Sequence, residues 1–395
     1  MFSGRKTGET PAAHSAPLLV EDADSLGILI DALSAEQVFA VDTESNSLFA
    51  YKERVCLIQF STAHRDFILD PFRFTDLSAL APLFADPSRE KIFHAAEYDV
   101  LCLKRDYGFE FQAIFDTMVA ARTLGWQRTG LAVILEERLG VQISKKHQRA
   151  NWGMRPLPQS LIDYAQQDTH HLLALRDIQW KELVSIGRHK EAVEEFARVA
   201  RLQSDRDSFH PDDFWRVKGA GALTPRQAAV LRELYIYREK QAERANLPRF
   251  KVLGDRTLMA MALEPPSRMG ELSRFEGMSP RQIQRHGQAL LKAIARGHKA
   301  STPKKPRYQR LPMDVRNRYE LLQQWRKEKG KTRGVEPDVI LPRQALWILA
   351  HSLPRTLADL DLLEDIGAHR RELYGSEILE LLNGEEDGKD TGTKS

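Results

Sequence analysis

The sequence predicts an α/β domain, in which helices flank a mixed β-sheet, followed by two small all-α domains. Three observations lead to this fold class. Short apolar strands alternate with helical stretches up to about residue 185, strand signals nearly vanish beyond it, and the helical part contains an internal repeat. A chain of 395 residues also exceeds what one compact core usually holds, which agrees with several domains.

The predicted strands are short runs rich in β-branched and aromatic residues. Three of them come early in the chain: VFAVD (38–42), RVCLIQFS (54–61) and DFILD (66–70). The four residues 62–65 predict a hairpin between the second and third runs. A helical stretch around 76–85 leads to a fourth strand, KIFHA (91–95), and then to a helix that Gly108 ends. Hairpin strands combined with a strand reached through a helix indicate a mixed sheet.

The helical half repeats with an offset of 88 residues that holds without a gap for over forty positions. Apolar residues coincide under this offset: Leu253 with Leu341, Leu258 with Leu346, Ala262 with Ala350, and Leu272 with Leu360. Because these positions have helical spacing, a shared core explains them best. The sequence therefore predicts two tandem copies of one small helical domain.

These features divide the chain into segments with predicted boundaries. In chain order they are a disordered lead (1–17), the α/β domain (18–200), the first helical domain (212–295), a basic proline-containing linker (296–312), the second helical domain (313–383) and a disordered acidic tail (384–395).

Composition excludes several classes of protein. No apolar run approaches the ~20 residues of a transmembrane helix, and the first 17 residues lack the apolar core of a secretory signal. We therefore expect a cytoplasmic protein with no membrane partner. Cys56 and Cys102 are too few for a disulfide framework, and no Cys or His cluster has zinc spacing. A net charge of +3 is too mildly basic to identify a nucleic-acid-binding protein alone.

Asp42 and Glu44 follow an apolar run and are two residues apart, so on a strand both side chains project from the same face. Two carboxylates at the end of a buried strand are unfavourable unless a cation compensates them. Hard divalent cations take such oxygen ligands. The alternative is a strand end at the surface with two solvated acids, the commoner origin of an isolated D-x-E.

Tyr164 and Asp168 are four residues apart in DYAQQD, so their side chains are neighbours on one face of a predicted helix, whereas Asp163 points elsewhere. Asp99 lies near the start of the helix after KIFHA, where an acid also suits the helix dipole. Each position alone has an ordinary structural explanation. Together, acids at a strand end, a helix start and a late helix predict a site that holds two divalent cations against a phosphodiester.

Five residues resemble the three motifs of the DEDDy class of 3′→5′ exonucleases: Asp42 and Glu44 in DTE, Asp99 after HAAEY, and Tyr164 with Asp168. Within this class the likeness is closest to the bacterial ribonuclease D family. The intervening runs VCLIQF, FDTMVAARTLG and KKHQRANWGMRPLPQSLIDYAQQD support it. The tandem repeat resembles two HRDC (helicase and RNase D C-terminal) domains. The resemblance covers roughly residues 18–383 and implies a ribonuclease H-like fold for the α/β domain.

The resemblance implies a 3′→5′ exoribonuclease that releases 5′-mononucleotides from RNA 3′ ends, with tRNA precursors as expected partners and a monomeric state. It also implies that two divalent ions, Mg²⁺ or Mn²⁺, are cofactors. Tyr164 would orient the attacking water through its hydroxyl. The implied metal ligands are Asp42, Glu44, Asp99 and Asp168.

Two other functions stay open at this stage. The same fold and motifs serve DNA exonucleases, although the absence of a polymerase or helicase segment and the two HRDC-like repeats favour RNA. A binding module without chemistry is the other alternative, which the complete set of acids and the tyrosine disfavours. The sequence departs from the family pattern at Ser45, where an aromatic residue is common, at Tyr98, where an acid is common, and at Asn151, where Asp is common. These departures bear on substrate preference.

The basic run KKHQR (145–149) lies shortly before the third motif and could contact substrate phosphates. A solvated loop is an equally good interpretation. Aromatic residues such as Trp152 are more often part of a core than base-stacking, and Trp152 is the best exception because of these basic neighbours. The predicted nucleic-acid contacts are Lys145, Lys146, Gln148, Arg149 and Trp152.

Overall fold

The structure is a computed structural model that describes residues 16–144, 146–203, 209–306, 311–363 and 366–384. Most of the predicted lead, Lys145 and nearly all of the predicted acidic tail lie outside these residues. Within them, no helix combines the length and the apolar character that crossing a bilayer requires.

A six-stranded mixed sheet forms the centre of the α/β domain, as the sequence predicts. Its strands are β1 (Leu18–Val20), β2 (Val38–Ser45), β3 (Val55–Ser61), β4 (Asp66–Leu69), β5 (Glu90–Phe93) and β6 (Ile114–Asp116). The strand order is β1-β4-β3-β2-β5-β6. Strands β2, β3 and β4 pair antiparallel, whereas β1, β5 and β6 pair parallel to their neighbours. The predicted hairpin between β3 and β4 is confirmed, and its turn closes with a hydrogen bond from the Thr62 amide to the Arg65 carbonyl.

Helices cover both faces of this sheet. They are α1 (Ala23–Ala35), α2 (Ala81–Ala85), α3 (Glu97–Tyr107), α4 (Thr117–Leu124), α5 (Leu131–Leu139), α6 (Gln159–His170), α7 (Leu172–Ser185) and α8 (His189–Ala200). Gly108 ends α3 in the left-handed conformation at φ 68°, as predicted. Alternate β2 residues enter different cores, because Phe39 and Val41 pack with α1 and α3 residues while Ala40 packs with α4 and α7 residues. Asp42 and Glu44 share the face of Ala40.

The helical half contains two copies of one five-element unit. The first copy comprises α9 (Pro225–Ala245), α10 (Arg249–Val252), α11 (Asp255–Leu263), the 3₁₀ turn Met269–Arg274 and α12 (Pro280–Lys299). The second comprises α13 (Met313–Arg333), α14 (Pro337–Ile340), α15 (Arg343–Ser352), α16 (Leu357–Asp361) and α17 (Ala368–Asn383). Each element starts 88 residues after its counterpart, for example at 225 and 313 and at 280 and 368, so the predicted repeat is confirmed.

An arginine that hydrogen-bonds to a backbone carbonyl is repeated along with the core. Arg238 donates from Nη1 to the Leu253 carbonyl at 3.1 Å, and Arg326 donates to the Leu341 carbonyl at 2.9 Å. These partners are again 88 residues apart, so the repeat extends to a specific hydrogen bond. The helix α12 runs to Lys299, four residues into the predicted linker 296–312. The sequence prediction ended this helix too early, because basic residues also suit the last turn of a helix.

Both helical domains contact the α/β domain. The loop after β2 meets the first one through Tyr51, whose hydroxyl donates to Glu239 at 2.6 Å and whose amide donates to the Asn246 side chain at 3.2 Å. The second one meets α8, where Glu191 accepts from Arg333 at 2.7 and 2.9 Å. The first contact lies beside the strand end that carries Asp42 and Glu44.

Candidate active site

The end of β2 and one face of α6 bring three predicted ligands together. Asp42 and Glu44 project from the same face of β2, and Asp168 approaches them from α6. One oxygen of each carboxylate lies within 4.8 Å of the others. Oxygen atoms at this separation can share a cation without moving their backbones.

Tyr164 lies one turn before Asp168 on α6, as the sequence predicts. Its ring is 6% exposed and packs in the cluster that contains Trp152 and Leu161. Its hydroxyl donates a hydrogen bond to Asp168. The tyrosine oxygen is therefore held at the carboxylate cluster by helix α6 and by the ring packing around it.

Asp99 enters the same pocket from the first turn of α3, although it is not one of the three converging carboxylates. The Thr43 hydroxyl donates to its Oδ1 at 2.5 Å, which links Asp99 to the strand that carries Asp42 and Glu44. Asp116 fixes the start of α3, because its carboxylate accepts the backbone amides of Ala95 and Ala96 at 3.0 and 2.8 Å.

The same Asp116 carboxylate also accepts the amides of Met118 and Val119, at 2.8 and 3.1 Å, and so caps α4. Ala95 has a left-handed backbone with φ 65°, a conformation that is strained for any residue with a Cβ atom. The hydrogen bond from its amide to Asp116 helps to maintain this conformation. One buried acid thus joins two helix starts and determines where Asp99 lies.

Burial and mutual repulsion raise the pKa of every acid in the pocket. Burial, followed by the charges of Asp99, Asp168 and Glu44, raises the pKa of Asp42 well above its usual value. Burial and then the charges of Asp168 and Asp99 raise the pKa of Glu44 to about 9. The pKa values of Asp99 and Asp168 rise to about 7, in both cases chiefly through burial.

The pocket has a volume of about 640 Å³, and none of the described residues that line it is lysine or arginine. Four carboxylates therefore face a common space to which the described lining residues bring no lysine or arginine charge. Such an arrangement is unfavourable at neutral pH unless cations occupy the space. All-oxygen donors suit Mg²⁺ or Mn²⁺, so the residues present fit the metals that the sequence motifs imply.

The predicted nucleic-acid contacts differ in whether they line the pocket. Gln148 is exposed and lines the pocket, whereas Lys146 and Arg149 are exposed on the same loop without lining it. Lys145 lies outside the described residues. Trp152 lines the pocket, but its ring is 1% exposed and packs 6.0 Å from the Tyr164 ring, as a core aromatic residue does. Its contact with nucleic acid stays a prediction.

An exposed aromatic residue does lie at the pocket, and the sequence prediction missed its role. Tyr98 is 46% exposed, and its oxygen is 2.8 Å from the Ser45 hydroxyl. Ser45 donates its single proton to Glu53 at 2.8 Å, so Tyr98 is the donor to Ser45. Two of the three positions that depart from the family pattern thus contact each other.

Three further residues at the site had weak or no sequence signals. Thr43 lies inside the DTE motif, but nothing in the sequence indicates its bond to Asp99. Asp116 precedes a helix, so the capping preference of Asp could have indicated it. Gln59 is the cross-strand partner of Asp42 and is fully buried, and neither its Oε1 nor its Nε2 has a partner among the described residues.

Two family models match the chain. A model described as 3′-5′ exonuclease matches residues 17–184, and one described as HRDC domain matches residues 227–294 and 315–382. Ribonuclease D of Pseudomonas paraeruginosa is 30% identical over 351 residues, which are 87% of this chain and 91% of that protein.

Protein RRP6-like 1 of Arabidopsis thaliana is 31% identical over 313 residues, which are 75% of this chain. The chain spans about half the length of this relative, since the match covers 49% of it. Among solved structures, Escherichia coli RNase D, an exoribonuclease involved in structured RNA processing, superposes with a TM-score of 0.67 at 25% identity. That match covers 93% of this chain and 99% of the other.

Proposed function

This chain belongs to the ribonuclease D family of 3′→5′ exoribonucleases, and on that premise we propose that it releases 5′-mononucleotides from RNA 3′ ends by two-metal hydrolysis. The observation that carries the proposal is the pocket in which Asp42, Glu44, Asp99 and Asp168 meet beside the Tyr164 hydroxyl, with no lysine or arginine among the lining residues that the structure describes. Solvated surface acids would not raise one another's pKa values in this way.

Asp42, Glu44 and Asp168 would hold the cations directly, and Asp99 would complete the set from α3. Two Mg²⁺ or Mn²⁺ ions, when bound, supply the positive charge that activates water and stabilises the departing 3′ oxygen. Thr43 keeps one oxygen of Asp99 engaged, so the other is the oxygen that Asp99 offers to the pocket.

Tyr164 would position the attacking water rather than remove its proton. Burial, followed by the charges of Asp168, Glu44 and Asp42, raises its pKa above the ordinary value near ~10. The phenol therefore stays protonated at neutral pH. Its hydroxyl can accept a hydrogen bond from water while it donates to Asp168.

The substrate class follows from the relatives. Escherichia coli RNase D processes structured RNA, and the two helical domains of this chain extend the protein beyond the pocket as in that structure. We propose structured RNA ends, with tRNA precursors as the specific case, and a monomer that acts in the cytoplasm.

The test uses three labelled substrates: single-stranded RNA, single-stranded DNA and a tRNA with a 3′ extension. Each is incubated with Mg²⁺, Mn²⁺ or EDTA, and the released mononucleotides are separated. We expect release from the two RNAs with either metal and none with EDTA. Release from DNA at the same rate would contradict the RNA assignment, and release in EDTA would contradict the metal assignment.

Asp163→Asn is the matched control for Asp42→Asn. Asp163 is exposed on α6 and bonds only to Gln159 among the described residues. Both substitutions remove one negative charge. We expect the control to keep full activity and Asp42→Asn to lose it, while circular dichroism shows both variants folded. Equal loss in both variants would show that net charge, and not the pocket, is responsible.

A further inference from the structure

His94 lines the active-site pocket without belonging to the acid cluster. It follows β5 directly and is five residues before Asp99. Its Nδ1 lies 2.9 Å from the Thr117 hydroxyl, and no group among the described residues is hydrogen-bonded to its Nε2. The ring thus presents one nitrogen to the protein and leaves the other for the pocket.

The hydrogen bonds of Thr117 determine which nitrogen carries the proton. The Thr117 hydroxyl donates its single hydrogen to the Phe93 carbonyl at 3.0 Å. Both contacts are satisfied together only when this hydroxyl accepts from His94, which places the N–H on Nδ1. Thr117 is fully buried, which excludes a rotation of its hydroxyl toward solvent. In the neutral ring Nε2 then carries a lone pair and no proton.

The ring is also neutral under physiological conditions. Burial lowers the pKa of His94 to about 4, so protonation does not compete near pH 7. His94 therefore adds no positive charge to the four acids and cannot pair with a phosphate. A phosphate oxygen carries no hydrogen, so it has nothing to donate to Nε2. The ligand of Nε2 must be a donor.

The position of His94 next to the acids selects the kind of donor. The acids would hold the scissile phosphate through the metals, and the sugar lies between that phosphate and its base. His94 lines the same pocket as these acids, so it would face the nucleotide at the scissile phosphate, and the donors of that nucleotide nearest to the phosphate are on its sugar. Ribose offers a 2′-hydroxyl donor that deoxyribose lacks.

We propose that Nε2 of His94 accepts a hydrogen bond from a ribose 2′-hydroxyl of the bound strand and so makes the pocket favour RNA over DNA. This inference rests on the proposed function. A buried acceptor left without its donor is unfavourable, which is how such sites reject analogues lacking a hydroxyl. His94 is thus a specificity-determining residue.

The test combines protein and substrate changes. Single-stranded RNAs carry one 2′-deoxynucleotide at the last, second-last or third-last position, and kcat/KM is measured for the unmodified protein and His94→Phe. We expect one deoxy position to lower kcat/KM by roughly 3- to 10-fold in the unmodified protein, the size of one neutral hydrogen bond. In His94→Phe the same penalty should fall below about twofold.

Two more variants separate recognition from folding. In His94→Gln the side-chain oxygen can replace Nε2 as acceptor, so the penalty should partly return. Thr117→Val removes the acceptor that fixes the N–H on Nδ1, so the penalty should shrink although His94 is present. Binding supplies a readout without catalysis: with Mg²⁺ present, the inactive Asp42→Asn should bind an all-RNA strand more tightly than the deoxy strand, and adding His94→Phe should abolish the difference.

The outcomes distinguish the two levels of inference. No nucleotide release from any substrate would overturn the proposed function. Release from RNA, with a deoxy penalty that is absent in the unmodified protein or unchanged in His94→Phe, would overturn only the role of His94. A loss in His94→Phe that depends on the base and not on the sugar would assign Nε2 to a base amino group, which also overturns the proposal.

Discussion

Two regions of this molecule hold buried or half-buried carboxylates in contrasting surroundings: the active-site pocket and the interface between α8 and the second helical domain. At the interface each acid has a protein partner. Glu191 forms a bidentate ion pair with Arg333. Glu194 accepts a hydrogen bond from the backbone amide of His369, at the start of α17, at 2.5 Å. In the pocket, the described residues offer the acids no lysine or arginine.

This difference teaches which buried acids are available for chemistry. An acid with a guanidinium or a helix N-terminus is already compensated, so its charge stabilises an interface. An acid that faces other acids has an uncompensated negative charge, so it can bind a cation. Burial alone does not separate the two cases, since Glu191 is 2% exposed and Asp99 is 6% exposed.

The largest expected effect is in the pocket. Asp168→Asn should lower kcat by more than about 100-fold, beyond the 10–100-fold loss typical of groups that only support a metal ligand. It should also stabilise the metal-free protein near pH 8, because it removes one of the repelling charges. Single-turnover kinetics and thermal denaturation in EDTA provide the two measurements. A variant with normal kcat would remove Asp168 from the metal-ligand set.

Removing a charge at the interface should lower stability and leave activity nearly unchanged, the opposite of the result expected for Asp168→Asn. Glu191→Gln leaves Arg333 without its carboxylate partner and should destabilise the docked second helical domain by about 3 kcal/mol. Hydrogen exchange of the α17 amides measures this effect. Release of mononucleotides from a short unstructured RNA should change less than about twofold, since the two regions share no partner. Equal loss of activity in Glu191→Gln and Asp168→Asn would abolish the distinction between the two regions.

The pH dependence of stability is the next effect in size. The pKa values of Asp99 and Asp168 are raised from 3.8 to about 7, and that of Glu44 from 4.5 to about 9. At a pH between the ordinary pKa and the raised pKa of each acid, that acid is protonated in the folded chain and ionised in the unfolded chain. The unfolded chain therefore binds fewer protons, and the free energy of unfolding falls as the pH rises.

We accordingly expect the Tm of the metal-free protein to decrease from pH 6 to pH 9. Saturating Mn²⁺ should reverse this decrease, because the cations replace the lost protons and bind only the folded state. Differential scanning calorimetry in EDTA and in Mn²⁺ tests both statements. Asp168→Asn should flatten the decrease, and Glu191→Gln should leave its slope unchanged. A Tm that is independent of metal at pH 9 would contradict the pocket chemistry.

The features of the fold that the sequence predicted are those that depend on local sequence pattern or on internal similarity. The hairpin between β3 and β4, the stop at Gly108 and the 88-residue repeat all follow from residues close in sequence or from internal similarity. The strands β1 and β6 were not predicted. They have three residues each, too few to show an alternation, and their pairing with β4 and β5 makes them strands.

The site shows the same limit. The spacing of Asp42 with Glu44 and of Tyr164 with Asp168 defines which side chains share a face, and the structure brings these faces together. The burial of the Trp152 ring could not be predicted from its basic neighbours, because they do not indicate the packing around it. The link between two helix starts through Asp116 also requires β5 and β6 to be adjacent, which only the folded sheet provides.

Tyr98 lies between the two compared regions and gives the smallest expected effect. It lines the active-site pocket and also a cavity toward the second helical domain that Arg122, Asp338 and Arg370 line. If its exposed ring stacks on a base, Tyr98→Ala should raise the Kd for a short RNA by roughly 5- to 10-fold, near the lower bound for base stacking. Tyr98→Phe keeps the ring and loses only the bond to Ser45, so its Kd should change less than about twofold. Fluorescence anisotropy in EDTA measures both Kd values. If Tyr98→Ala instead accelerates hydrogen exchange in α17 and leaves the Kd unchanged, Tyr98 belongs to the interface and not to the substrate.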